Sequence, residues 1–144
     1  IEVARGKAKE AELSNVDFFV STAKEIPNNG YNFACIFDAL HDMGDPVGAA
    51  KHINDILVED GTFMLVEPLA GDTLEENLDN PLSALFYGFS TLVCVPCSKA
   101  QEVGLGLGAQ AGQARLTKVL NEAGFTQVRR TTETHTNMIL EVRT

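Results

Sequence analysis

The sequence predicts an α/β fold, with a mostly parallel sheet, helical crossovers and an antiparallel hairpin at one edge. Three observations predict it. Two runs, Phe33-Ala34-Cys35-Ile36-Phe37 and Thr62-Phe63-Met64-Leu65-Val66, are apolar throughout, as expected of strands buried on both faces of a parallel sheet. Between them Val47, Ala50, Ile53 and Leu57 recur at helical spacing. The chain closes on two strand-like runs, about Thr126–Arg130 and Asn137–Val142, joined by a short polar link.

Taken in order, Glu2 to Leu13 is rich in Ala, Lys and Glu and predicts a helix. Val16-Asp17-Phe18-Phe19-Val20 is a short β-prone run, and Lys24 to Gly30 is a loop broken by Pro27 and Asn29-Gly30. Asp45-Pro46 starts the crossover helix, because Asp caps and Pro suits the first turn. Asn80-Pro81 repeats that signal. From Leu82 to Val95 the chain is apolar on nearly all sides, so this segment is either deeply buried or covered by a partner. Gly104 to Gly112 is glycine-rich and reads as a flexible connection. Ala114 to Ala123 is a helix with Leu116, Val119 and Leu120 on one face and Gly124 at its end. The order is therefore α-β-β-α-β-insert-α-β-β, and alternation of strands with helices implies right-handed crossovers. One domain covers residues 1–144, with 72–113 as a helical and loop insert.

Composition narrows the function. The 144 residues suit one core. A formal net charge of −9 repels a phosphate backbone, which argues against nucleic acid as a partner. No apolar run reaches the roughly 20 residues of a membrane span. Cys35, Cys94 and Cys97 give an odd count in a chain too large to need disulfides, which points to a reducing, cytoplasmic setting. The start carries no Met and no signal-peptide pattern, so the chain reads as truncated or trimmed.

Tyr31 to Pro46 reads YNFACIFDALHDMGDP, and Gly61 to Pro68 reads GTFMLVEP. Together these resemble the fourth and fifth strands of class I S-adenosylmethionine-dependent methyltransferases. Leu40-His41-Asp42 followed by Glu67-Pro68 is similar to the small-molecule O-methyltransferases, and Gly124-Phe125 resembles the entry to their terminal hairpin. The resemblance runs over essentially the whole chain but over the later part only of such an enzyme. It implies a partial Rossmann-like sheet lacking the first two strands. The Gly-x-Gly-x-Gly turn and the acidic ribose ligand would be lacking with them. S-adenosylmethionine is the implied cofactor, with Thr22, Ala23 and Asp38 at its site. Thr22 stands where the family often carries an acidic residue that reaches the adenine amino group.

Spacing marks His41, Asp42 and Glu67 as candidates at strand ends, where open α/β sheets bind ligands. Methyl transfer to a hydroxyl needs a base, and a neutral imidazole has a suitable pKa. The resemblance implies that role for His41, with Glu67 placed to orient it. The bland alternative is a histidine that only bonds backbone. Cys94-Val95-Pro96-Cys97 follows an apolar helix and has no second pair, so a redox or zinc reading gives way to two small structural residues. Gly104-Leu105-Gly106-Leu107-Gly108 lacks the preceding strand and the Lys-Ser/Thr ending of a phosphate loop. Asp72, Glu75, Glu76 and Asp79 read as a solvated helix face. His52 and His135 are isolated.

Without a neighbouring strand, Phe33–Phe37 would present an apolar edge, a template for pairing. Val16–Val20 could slide in, two copies could pair, or another polypeptide could complete the sheet. The apolar Leu82–Val95 segment favours a homo-oligomer, a homodimer in the simplest case. Two functions follow: a methyltransferase acting on a small-molecule acceptor, weak or inactive as this chain, or a non-catalytic homo-oligomeric module that binds a small ligand or is a remnant.

Overall fold

The structure is a computed structural model that describes residues 1–144. Helix α1 (Glu2–Glu10) precedes strand β1 (Tyr31–Phe37), helix α2 (Pro46–Ile56) and strand β2 (Leu57–Pro68). Short helices α3 (Leu74–Asn77), α4 (Ser83–Phe89) and α5 (Val95–Lys99) follow, with a π-helical turn, Ser90–Cys94, between the last two. Helix α6 (Gln113–Glu122) and strands β3 (Gln127–Glu133) and β4 (Asn137–Arg143) complete the chain. The sheet is mixed and runs β1-β2-β4-β3, with β1 parallel to β2, β4 antiparallel to β2 and β3 antiparallel to β4.

Local chemistry explains the element ends. Asp45 caps α2, its Oδ1 accepting from the Gly48 amide at 2.8 Å, and Pro46 opens the first turn. Gly124, at φ 98°, ends α6 in a Schellman turn. There the Gly124 amide donates to Asn121 O and the Phe125 amide to Leu120 O. The N-terminus of α6 is capped from a distance. Gly112 has no side chain to offer, and Asp72 Oδ1 accepts from the Ala114 amide at 2.7 Å. A Cβ on Gly112 would sit 2.3 Å from that oxygen. Part of the acidic run therefore terminates helices: Asp72 caps α6, and its own amide donates to Glu76.

The core lies on one face of the sheet. Phe63 and Leu65 of β2 and Met138, Leu140 and Val142 of β4 point to the same side. They pack under Ala49, Ala50 and Ile53 of α2 and Leu116, Val119 and Leu120 of α6. Phe63 and Phe125 stack tilted at 5.7 Å between centroids. The opposite face has no helix layer. Phe33 and Phe37 on β1 are exposed there, as is Cys35. This corrects the expectation that Phe33–Phe37 is buried on both faces: α2 and α6 both cover the same side, where Ala34 and Ile36 meet the core.

Two further expectations change. Val16–Val20 forms no strand; Phe19 and Val20 are exposed, and the Phe18 carbonyl accepts from the Arg5 guanidinium at 3.0 Å. The outer edge of β1 consequently carries no neighbouring strand. The glycine-rich connection is tied down rather than flexible. The Leu105 amide donates to Gly44 O, Gly108 to His41 O, Gly106 to Ser98 Oγ and Ala109 to Ser90 Oγ. Gly106 and Gly108 take positive φ, where a Cβ would strike Lys99 and Ser90.

Replacing Asp72 with Ala should lower the unfolding free energy by about 1 kcal/mol, the usual value of a helix cap. Urea denaturation of Asp72→Ala beside Asp72→Asn checks this, with most of the loss expected to be absent in the Asn variant.

Candidate active site

The site grows from the turn that follows β1. Asp38 holds a left-handed conformation, φ 45°, which Asp tolerates better than most residues. Its amide donates to Val66 O, and its Oδ1 accepts from Asn137 Nδ2 at 2.6 Å. The chain then winds into a 3-10 turn, Leu40–Asp42. Leu40 is fully buried in the core and thereby fixes where His41 emerges.

Glu67 ends the neighbouring strand, and its carboxylate holds this turn at two points. Oε1 accepts from the Leu40 amide at 2.9 Å, and Oε2 lies 2.5 Å from His41 Nδ1. His41 is 5% exposed and Glu67 1%. With Nδ1–H donating to the carboxylate, the lone pair of the neutral ring sits on Nε2. Nε2 is 3.4 Å from Asp42 Oδ1. Burial pushes the His41 pKa down, but the hydrogen bond and charge of Glu67, with the charges of Asp42 and Asp38, outweigh it and leave the ring above the ordinary histidine value. That shift makes it a stronger proton acceptor. Removing one partner of a buried pair such as this costs about 3–5 kcal/mol.

The turn is fastened from outside by α5, which sequence reasoning did not assign to the site. Gln101, just past α5, accepts from the Gly44 amide at 2.9 Å and donates to Asp42 O at 3.0 Å. Ser98 Oγ donates to Met43 O at 2.8 Å. Beside the turn lies a cavity of about 340 Å³ lined by Asp38, His41, Phe86, Phe89, Cys94 and Asn137, among others. Asn137 was also missed. The available signal was its place at the start of the last strand, opposite Pro68 at the end of β2.

The candidate residues divide. His41, Asp42 and Glu67 come together, and Asp38 joins His41 on the cavity wall. Thr22 and Ala23 do not line that cavity: Thr22 Oγ1 donates to Glu25 at 2.8 Å, and Ala23 packs against the core. The amides of the glycine-rich loop are spent on His41, Gly44, Ser90 and Ser98. Those loop amides are therefore not free to donate to a ligand. Cys94 and Cys97 are free; Cys94 is buried and Cys97 exposed. His52 Nε2 contacts Ile26 O at 2.7 Å, a structural role. A larger polar cleft of about 780 Å³, whose lining does not include His41, opens between the 69–82 segment and the β3–β4 turn.

A parallel β1–β2 pair joined to a terminal antiparallel hairpin is a fold shared with part of several solved O-methyltransferase structures. Mitomycin 7-O-methyltransferase MmcR superposes with a TM-score of 0.73 at 21% identity, over 99% of this chain and 38% of that one. An O-methyltransferase family protein from Burkholderia thailandensis gives 0.69 at 16%, over 99% and 40%. The neocarzinostatin-biosynthesis O-methyltransferase NcsB1, solved with S-adenosyl-L-homocysteine and 1,4-dihydroxy-2-naphthoic acid, gives 0.67 at 19%, over 99% and 38%. The chain thus spans about two fifths of the proteins it matches. No family model and no curated protein matches it. No helix is long and apolar enough to cross a membrane.

The raised His41 pKa has a sign that can be tested. Its contribution to stability is fully present below the unfolded-state value, about 6.5, and is lost as pH rises through the higher folded-state value. Imidazole NMR titration of chelator-treated protein should place the His41 midpoint above that of an unfolded-state histidine. Glu67→Gln should bring it down, and urea unfolding should lose the corresponding pH dependence.

Proposed function

We propose that this chain carries the acceptor side of a methyl-transfer site, with S-adenosylmethionine as donor and a small-molecule hydroxyl as acceptor. The observation that carries the reading is His41, its Nδ1 held by Glu67 and its Nε2 left as base beside the cavity. An acceptor hydroxyl in that cavity would give its proton to Nε2. Asp42, 3.4 Å away, would stabilise the imidazolium, and Glu67 would keep the ring in the productive tautomer. Phe86 and Phe89 offer the acceptor an apolar wall. Thr22, Ala23 and Asp38 are the positions we propose for the donor side, which the chain does not complete alone. On this reading the 144 residues by themselves transfer methyl groups weakly but measurably.

A second reading is a non-catalytic homo-oligomeric module that binds a small ligand or survives as a remnant. It is favoured by the open edge of β1 and the uncovered apolar face. Leu92, 79% exposed, and Phe89 add exposed apolar area on the Leu82–Val95 segment. We propose that two copies meet there, which a partner covering the segment would also explain.

Transfer of a labelled methyl group to hydroxylated aromatics such as 1,4-dihydroxy-2-naphthoate tests the first reading. His41→Ala should reduce transfer about 10²–10⁴-fold, the usual contribution of a general base. Transfer indifferent to His41, or no calorimetric heat with millimolar S-adenosylmethionine and no transfer, would sink the enzymatic reading for this chain. Light scattering should report a dimer that Phe33→Lys with Phe37→Lys converts to monomer; a wild-type monomer refutes the oligomer.

A further inference from the structure

We propose that His41 Nε2, Cys94 Sγ and an Asp42 carboxylate oxygen bind one borderline or soft divalent ion, zinc above all, and that the bound ion silences His41 as a base. The ligand atoms of these three side chains lie within 4.8 Å of one another. A tetrahedral zinc, with Zn–N and Zn–S bonds of roughly 2.0–2.3 Å, holds its ligand atoms about 3.5 Å apart, so the site must close by about 1 Å. The member best able to move is Asp42, whose side chain is 43% exposed.

Four features point to a ligand. Asp42 Oδ1 is buried yet has no hydrogen-bond partner, a state polar atoms rarely keep without reason. His41 already has its other nitrogen on a carboxylate, the arrangement that orients and strengthens metal-binding imidazoles. Cys94 closes the π-helical turn, and it is buried while Leu92 and Val93 are exposed. Such turns recur at functional sites. The donors are nitrogen, sulfur and one oxygen, which suits zinc or cobalt and disfavours magnesium or calcium. A fourth position opens on the cavity that His41 and Cys94 line, as in open three-ligand sites.

Binding is an exchange: the Cys94 thiol gives its proton to solvent as the metal–sulfur bond forms, and the His41 lone pair becomes a metal bond. That lone pair is the one a methyl acceptor would need, so metal and proton abstraction exclude each other. The inference does not depend on the methyl-transfer reading, because the same three atoms would bind the ion in a non-catalytic module.

The test uses the full chain stripped with chelator, with the exposed Cys35 and Cys97 replaced by Ser to remove surface thiols. Cobalt(II) is the probe, followed by the near-ultraviolet thiolate-to-cobalt charge-transfer band. The band should saturate at one equivalent and vanish on zinc addition. It should be absent in Cys94→Ser. Asp42→Asn and Glu67→Gln should weaken cobalt binding about 10–100-fold, with the far-ultraviolet circular dichroism unchanged. If Cys94→Ser does not fold, Asp42→Asn at the surface carries the test. No band at millimolar cobalt, a band that survives Cys94→Ser, or undiminished affinity in Asp42→Asn overturns the proposal.

Discussion

The Glu67 carboxylate is the interaction on which the site depends. It sits at the end of the central strand, almost without exposure, and would be costly there unpaired. Its two oxygens take the Leu40 amide and His41 Nδ1, so one buried charge closes the turn and orients the ring. Because β2 is flanked by β1 and β4, the carboxylate cannot shift without disturbing the sheet. The turn has further anchors in Gln101, Ser98 and the glycine-rich loop. Glu67 thus holds the turn from the sheet side, and the segment from Ser98 to Gly108 holds it from the other.

That concentration contrasts with the other side of the sheet. The helices α2 and α6 share one face, and the other leaves Phe33, Cys35 and Phe37 in water. A chain with this distribution is well built around His41 and poorly covered beneath it. Exposed apolar edge and face favour association, whereas the organised turn favours chemistry or ligation. The two proposed functions follow from these two halves of one structure. The histidine that could act as a base is also the one that a metal would capture.

Much of the site was legible in the sequence because strand-end residues follow from periodicity. His41 and Glu67 each lie just after or at the end of an apolar run, and parallel pairing of those runs brings the ends together. Thr22 and Ala23 were less legible: their place depends on what packs beside the loop, and Thr22 turns to Glu25. Cys94 appeared as half of a Cys-x-x-Cys, and nothing in that spacing showed that it would face Asp42 across a gap of some fifty residues.

By itself the sequence determined the α/β order, the Asp45-Pro46 helix start, the Gly124 stop and the terminal hairpin. Each rests on neighbours within a few residues, where side-chain pattern and backbone preference act directly. Tertiary structure decided the rest: that Val16–Val20 gains no strand partner, that Asp72 caps a helix some forty residues away, and that the glycines strap the His41 turn. Those outcomes depend on which surfaces meet, and a hydrogen bond or a burial between distant segments leaves no periodic mark in the chain that makes it.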